Sequence, residues 1–348
     1  MTIRSVIRLM IVLAVLAVAI WFTLRSVDLT SLGSSLDNIS WPLVFCVIPI
    51  ILLSHYVRAL RWTTILSPSV PVRRVWPALS AVLVGYASSV IIPRSGEVLR
   101  PWVFSRRTGI PLGATLSSVV VERILDVLTL LCGFGLVFIF QQDRVLQAIP
   151  SLTPERLLVA VVIPAFLLLA VIVVLTFTSA GLSLADLIRK KVHARFGVWL
   201  HGVLMQVRQG TVAIRTPALW FRLTLETVSM WLLYTIPLWL LFKAMPIASL
   251  NALGFADAAF MLVIVSIGVT IAPTPGAIGV YQGFAQTALV QVYGTSPAEG
   301  LAFGIAAWLV NYGVALVSGA LCLVLEVHAG LKMTSFKQVR QEIHDSTS

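Results

Sequence analysis

Nine apolar runs, separated by short polar or basic segments, make up most of this 348-residue sequence. Six of them reach the roughly 20 residues that a helix needs to cross a hydrocarbon core about 30 Å thick. The other three are shorter and lie beside a Pro or Gly. An all-α polytopic membrane protein is therefore predicted. The nine runs are residues 6–24, 41–60, 76–92, 113–140, 157–177, 219–242, 255–272, 276–293 and 301–325.

Charged residues are scarce, which supports this class of protein. Only 11% of the side chains are charged and 58% are hydrophobic, whereas a soluble domain has roughly 25% charged residues. The net charge is +11, but the Lys and Arg residues cluster between apolar runs. This pattern indicates membrane topology and contact with anionic lipid headgroups, and no nucleic-acid partner is expected.

The basic segments predict the orientation. If residues 76–92 crossed the membrane, the basic loop 94–107 would lie opposite to its basic neighbours. If 76–92 instead enters and leaves on the cytoplasmic side, nineteen Lys and Arg lie inside and four outside, as the positive-inside rule requires. Both termini are then cytoplasmic in a plasma (inner) membrane. Residues 6–24 are expected to be a retained span, because the run is too long for a signal-peptide core.

Six spanning helices plus two opposed re-entrant hairpins follow from this reasoning. Residues 255–272 and 276–293 form the second hairpin, which dips in from the outside and turns near Pro273. Each half of the chain then reads span, span, hairpin, span in opposite orientation, which is an inverted-topology repeat. The tip sequences 93–96 (PRSG) and 273–276 (PTPG) correspond to each other. The alternative for the second hairpin is a kink in one continuous helix.

A single transmembrane domain is expected over residues 1–331, with repeat halves of about 1–140 and 157–326. The basic segment 179–217 is predicted to be a cytoplasmic amphipathic helix or hairpin among the lipid headgroups. A solvated connector fits the same charges. Residues 332–348 are predicted to be a polar cytoplasmic tail.

Glu122, Arg123 and Asp126 lie inside an apolar run, where each ionisable group costs several kcal/mol. Glu122 and Asp126 share a helix face, and Arg123 can reach Asp126 at a spacing of three. In a membrane chain such residues indicate a substrate or ion site. The alternative is a structural ion network that joins helices.

Two hairpin tips add further candidate binding residues. Broken helices free backbone N–H groups, and helix N-termini bind anions. At the inner tip, Arg94 and Arg100 could hold a phosphate, although they could also be ordinary positive-inside residues. A cavity between such tips suits a lipid with a phosphate. The remaining candidates are Gly96 and Glu97 at the inner tip and Pro273, Thr274, Pro275, Gly276, Gly279, Tyr281 and Gln282 at the outer tip.

Sequence motifs for catalysis are absent. The chain has no phosphate-binding loop, no H-E-x-x-H and no G-x-S-x-G. Its three cysteines lie in apolar runs and indicate neither disulfides nor a metal site. No catalytic residue, metal or cofactor is predicted. An integral-membrane enzyme acting on a lipid phosphate or lipid-linked sugar stays open, because Glu122 or Asp126 could act as a base.

Three motifs resemble those of the flippase-like membrane family that includes the transmembrane domain of lysylphosphatidylglycerol synthases. The motifs are R-x-G-E-x-x-R at residues 94–100, E-R-x-x-D at 122–126 and P-x-P-G-x-x-G at 273–279. The family often carries an Arg in its last span, whereas residues 307–312 here contain none.

The resemblance implies movement of an anionic or glycosylated lipid between membrane leaflets. It does not imply aminoacyl transfer, which belongs to a separate soluble domain that we do not expect here. Membrane lipids with anionic headgroups are the expected partners. A lipid-presenting subunit for a lipid-modifying enzyme is a further alternative.

Overall fold

The structure is a computed structural model. It describes residues 39–67, 74–148, 178–191, 217–272 and 274–330, together with isolated positions between these ranges. All the secondary structure in this part of the chain is helical, as predicted. The predicted spans 6–24 and 157–177 lie outside the described residues apart from a few isolated positions, and so does the tail 332–348.

Ten α-helices and one 3₁₀ turn make up the described ranges. In chain order they are α1 (Trp41–Leu66), α2 (Trp76–Ile91), α3 (Gly96–Thr108), α4 (Leu112–Ala148), α5 (Ser179–Lys191), α6 (Pro217–Ala244), α7 (Ala248–Asn251), α8 (Phe255–Ile271), the 3₁₀ turn Pro275–Ala277, α9 (Val280–Tyr293) and α10 (Pro297–His328).

Three of the described helices, α1, α6 and α10, are long and apolar enough to span a membrane. The helix α4 has 37 residues and covers the predicted span 113–140. Large apolar side chains are exposed on the three helices, for example Phe45, Phe221 and Leu321. Extended apolar surface of this kind marks contact with a membrane or a partner. The chain is a multi-pass membrane protein.

The helices α1 and α6 are antiparallel neighbours. At the start of α1, the backbone N–H of Ser40 donates to the carbonyl of Ala244 at a distance of 2.8 Å. At the opposite end of the pair, the hydroxyl of Thr64 donates to the carboxylate of Glu226 at 2.9 Å. The bundle therefore has two distinct ends, called here the Ser40 end and the Thr64 end.

The helices α2 and α3 form a hairpin. The backbone N–H of Gly96 donates to the Ser89 hydroxyl at 3.0 Å, and Gly85 on α2 faces Arg100 on α3. A Cβ atom at position 96 would lie 2.2 Å from the carbonyl oxygen of Gly85. Only glycine allows the two backbones to approach so closely.

The prediction of a basic loop at residues 94–107 is wrong, because most of that segment is α3. Its buried residues Trp102, Val103 and Phe104 join a core shared with α1 and α2. The segment contains four arginines beside these three apolar residues. Its local hydropathy is therefore too low for the sequence to reveal a buried helix. Arg100, counted in that loop as a surface charge, is buried.

The helices α8 and α9 form a second hairpin. Gly268 on α8 packs against Phe284 on α9, and the hydroxyl of Tyr293 donates to the carboxylate of Asp257 at 3.1 Å. The chain thus reverses direction between the two helices, and the alternative of one kinked helix is wrong. Gly276, in the turn, has a φ of 57°, which favours glycine.

The two hairpin tips meet halfway along α10. The Arg94 side chain donates to the carbonyl of Thr270 at 3.2 Å, and Gly276 lies against Val90. The 32 residues of α10 extend about 48 Å at 1.5 Å per residue. One half of α10 packs on α9 through Gly304, and the other half packs on α2 through Gly319.

Candidate functional site

Two carboxylates and four arginines form a buried ionic network between the helices. Glu122 accepts from Arg58 at 2.6 Å and Arg123 at 3.3 Å, and it also pairs with Arg61 and Arg100. Asp126 pairs with Arg58 and Arg123, each at 2.8 Å, and with Arg61. This group is called the arginine cluster and consists of Arg58, Arg61, Arg100, Glu122, Arg123 and Asp126.

Three helices supply the arginine cluster. The helix α1 contributes Arg58 and Arg61, α3 contributes Arg100, and α4 contributes the remaining three residues. At a rise of 1.5 Å per residue, Arg58 lies about 12 Å from the end of α1, and Glu122 lies about 15 Å from the start of α4. The cluster therefore lies within the helical bundle, towards its Thr64 end.

Aromatic residues hold the arginines in place. The guanidinium of Arg100 lies 3.9 Å from the centre of the Trp62 ring. The indole N–H of Trp62 donates in turn to the Ser118 hydroxyl on α4 at 2.8 Å. Arg58 donates to the Tyr234 hydroxyl on α6 at 3.0 Å, which also links the cluster to α6. Stacking on an aromatic ring suits arginine because its guanidinium is planar and weakly hydrated.

The arginine cluster carries more positive than negative charge. Arginine stays protonated in proteins, so four guanidiniums face two carboxylates and the excess is two positive charges. An unpaired buried charge costs about 3–5 kcal/mol. Among the described residues, the buried donors that have no hydrogen-bond partner include Nε of Arg58, Arg61, Arg100 and Arg123 and Nη1 of Arg61. The cluster is therefore suited to binding an anion.

One side of the arginine cluster is accessible. Glu122 is fully buried, whereas the side chains of Arg123 and Asp126 are 43% and 17% exposed. An anion that approaches from the exposed face of α4 would meet Arg123 first. The neighbouring Arg222–Glu226 pair on α6 is neutral and does not balance the excess charge.

The sequence predicted part of this cluster. Glu122, Arg123, Asp126 and Arg100 come together, and Arg123 pairs with Asp126 at the predicted spacing of three. Arg58 and Arg61 were missed as site residues because they lie at the end of the apolar run 41–60 and were counted among the nineteen Lys and Arg predicted to be cytoplasmic. Their spacing of three at the end of a predicted span was the available signal.

The predicted residues of the inner tip occupy different places. Arg94 and Glu97 are exposed, and Arg94 contacts the second hairpin instead of the arginine cluster. Gly96 provides the close contact between α2 and α3. Of the residues predicted at the inner tip, Arg100 therefore belongs to the arginine cluster, and the others lie at the hairpin turn.

Two of the predicted polar residues of the outer tip bond within the tip, and the third, Tyr281, packs against α10. Thr274 donates to the carbonyl of Ile278 at 2.9 Å. The Gln282 side chain accepts from the backbone N–H of Gly279 at 2.8 Å. Tyr281 packs edge-on against Tyr312 on α10, with ring centres 6.0 Å apart. Pro275 begins the 3₁₀ turn together with Gly276, and Pro273 lies outside the described residues.

Trp308 joins the outer tip to α10. Its indole N–H donates to the carbonyl of Gly276 at 2.6 Å, and its ring stacks on Tyr312. Trp308 lies eleven residues after Pro297, as Glu122 lies eleven residues after Pro111. Glu122 pairs with Arg100 of the first hairpin, so each of these two positions fastens a hairpin, one through charge and the other through an indole.

No group of His, Cys, Asp and Glu in the described part of the chain is arranged to hold a metal ion. Cys46, Cys132 and Cys322 are unpaired. His55 is buried on α1 beside Tyr86, with ring centres 4.7 Å apart.

The fold and the site define a multi-pass helical membrane protein with a buried, arginine-rich polar site. Residues 7–319 match the family described as the lysylphosphatidylglycerol synthase TM region, and the chain belongs to that family. The resemblance inferred from the three motifs is thereby confirmed, and membership implies a lipid-related function in a membrane. A comparison with curated proteins found no match, and a comparison with solved structures found none either.

Proposed function

We propose that this protein moves a lipid with an anionic headgroup between the leaflets of a plasma (inner) membrane. The excess of two positive charges in the arginine cluster is the observation that carries the proposal. Such an excess is costly in a helical bundle within a membrane. It becomes favourable when an anionic headgroup supplies the missing acceptors.

The two hairpins support a route between the leaflets. At 1.5 Å per residue, the 16 residues of α2 extend about 24 Å and the 14 residues of α9 about 21 Å, both short of a hydrocarbon core of about 30 Å. Hairpins of this length that meet tip to tip fit the re-entrant arrangement in an inverted repeat of six spans. The lipid is proposed to pass near this junction, with both chain termini on the cytoplasmic side.

A lipid-flipping assay on proteoliposomes tests the proposal. Full-length protein is reconstituted with a trace of fluorescent anionic lipid, and an impermeant quencher reports the headgroups that reach the outer leaflet. Arg123→Gln should lower the initial rate about tenfold, because a hydrogen bond to a charged group contributes about 1.5–3 kcal/mol. Protein-free liposomes set the background.

Arg189→Gln is the matched control. Arg189 is also about half exposed and pairs with a carboxylate on its own helix, α5, but it lies outside the arginine cluster. The control variant should flip lipid at the wild-type rate. Equal rates for wild type and Arg123→Gln would refute the proposed role of the cluster. Mass spectrometry of the recovered lipid would reveal a chemical change, which would instead indicate a membrane enzyme.

A further inference from the structure

We infer that the arginine cluster selects a lipid whose headgroup carries two negative charges, a phosphate monoester, over phosphodiester and zwitterionic lipids. This inference rests on the proposed function and names the substrate class for the same site. The charge excess of two and the unpartnered N–H groups from three helices carry it.

Charge balance distinguishes the lipid classes. A phosphate monoester has a second pKa of about 6 and carries close to two negative charges at neutral pH. It would bring the cluster, which has an excess of two positive charges, to neutrality. A phosphodiester carries one negative charge and would leave one positive charge unpaired. A zwitterionic headgroup, which has no net charge, would leave both positive charges unpaired.

Hydrogen-bonding capacity favours the same class. A phosphate monoester offers three terminal oxygens as strong acceptors, and guanidiniums bind such oxygens in two-pronged pairs. Within the arginine cluster, the buried N–H groups that have no partner among the described residues lie on α1, α3 and α4. A phosphodiester has only two free oxygens and would accept hydrogen bonds from fewer of these N–H groups.

The surroundings of the accessible side indicate a lipid as the source of the phosphate. Val127, one helical turn after Arg123 on α4, is exposed. Residues four apart share a helix face, so an apolar side chain lies beside the accessible guanidinium. A free phosphate ion has no group that would contact Val127, whereas a lipid has its acyl or isoprenoid chain there.

Binding measurements on the full-length protein in nanodiscs test the selectivity. Phosphatidic acid, phosphatidylglycerol and phosphatidylethanolamine represent the dianionic, monoanionic and zwitterionic classes. At pH 8, phosphatidic acid should bind about tenfold more tightly than phosphatidylglycerol, since the second charge adds a charged hydrogen bond. Equal affinities for these two lipids at pH 8 would overturn the inference.

Variants of opposite charge sharpen the test. Arg123→Gln reduces the excess to one positive charge and should abolish the preference for phosphatidic acid. Asp126→Asn increases the excess to three and should strengthen that preference. Arg123→Lys keeps the charge and should keep the preference, and Arg189→Gln on α5 should behave as wild type. A purely structural network predicts the same change for Arg123→Gln and Asp126→Asn, which would overturn the inference.

The pH dependence should come from the ligand. At pH 5 the monoester loses its second charge. The ratio of the affinities for phosphatidic acid and phosphatidylglycerol should therefore fall towards one. Among the described residues, the charged groups near the site are the arginine cluster itself on α1, α3 and α4 and the neighbouring Arg222–Glu226 pair on α6. The other titratable groups near it in this part of the chain are His55 on α1, Tyr86 on α2 and Tyr234 on α6. His55→Gln should keep the same pH profile, and a profile that disappears in this variant would overturn the assignment to the ligand.

Competition with inorganic phosphate tests whether the bound phosphate dianion comes from a lipid or from free phosphate. If the lipid is the ligand, inorganic phosphate should compete only at concentrations at least about a hundredfold higher, because it lacks the chain that contacts apolar surface. Competition at equal concentrations would overturn the lipid as the source.

Failure of the charge inference is distinguishable from failure of the proposed function. If phosphatidylglycerol binds as tightly as phosphatidic acid but Arg123→Gln weakens both, the selectivity is refuted and the anionic-lipid site stands. If no variant of the arginine cluster changes the binding of any lipid, the inference and the proposed function are both refuted.

Discussion

Arg100 shows how one side chain can serve both the fold and the site. Its guanidinium stacks on Trp62 of α1 and pairs with Glu122 of α4. The residue therefore ties the first hairpin to two other helices. Its Nε is buried and has no hydrogen-bond partner among the described residues, so one donor of the site is left unsatisfied.

Replacing Arg100 by Gln should destabilise the protein by about 1.5–3 kcal/mol, because the change removes a charged hydrogen bond to Glu122 and the stacking on Trp62. Unfolding in detergent, followed by circular dichroism, measures this loss. Arg106→Gln is the control on the same helix. Arg106 is exposed and lies 5.9 Å from the centre of the Trp102 ring, and an exposed contact of this kind contributes about 0.5–1 kcal/mol. Equal losses in the two variants would contradict a stabilising role for the buried pair.

Among the helical elements, the two hairpins depend on contacts at their tips. The first tip needs Gly96, and the second needs the positive φ of Gly276 and the hydrogen bond from Trp308. Short helices inside a membrane expose backbone groups where they break, and these groups must be satisfied by protein. The indole of Trp308 performs this task for the carbonyl of Gly276.

Trp308→Phe should keep the stacking on Tyr312 but leave the carbonyl of Gly276 without its indole donor. We expect a loss of about 1 kcal/mol in stability and faster hydrogen exchange at residues 274–279. Trp231→Phe is the control, since the indole nitrogen of Trp231 has no hydrogen-bond partner among the described residues. If the two variants exchange equally slowly at 274–279, the hydrogen bond does not hold the tip.

The whole molecule has opposite ends that the proposed topology assigns to opposite sides of the membrane. Ser67 follows α1 at the Thr64 end, and Ser249 lies on α7, which follows α6 at the Ser40 end. Both residues are exposed. Both can be replaced by cysteine with little change in size.

In intact cells, an impermeant maleimide should label Ser249→Cys and leave Ser67→Cys unlabelled, each in a background without the native cysteines. Permeabilised cells should show labelling of both. The physical reason is the positive-inside distribution of Lys and Arg, which places the Thr64 end in the cytoplasm. Labelling of both positions, or of Ser67→Cys alone, in intact cells would refute this orientation.

The sequence alone determined the membrane class, the family and the positions of the main helices, because hydropathy and motif spacing are local properties of the chain. It also indicated two hairpins, because the broken runs were too short to cross, but it placed in a basic loop the residues 96–108 that form the second helix of the first hairpin. The family is confirmed by the match over residues 7–319. The count of six spans stays a prediction, because 6–24 and 157–177 lie largely outside the described residues.

Only the tertiary structure decided which charges from different helices meet. Arg58 and Asp126 are 68 residues apart, and Arg100 and Glu122 are 22 apart; no local pattern brings them together. The same holds for Arg94, which the sequence grouped with Arg100 but the fold directs to Thr270. Whether an arginine is a surface charge or part of a buried cluster depends on how its helix packs, because packing decides whether water or a carboxylate receives its N–H groups.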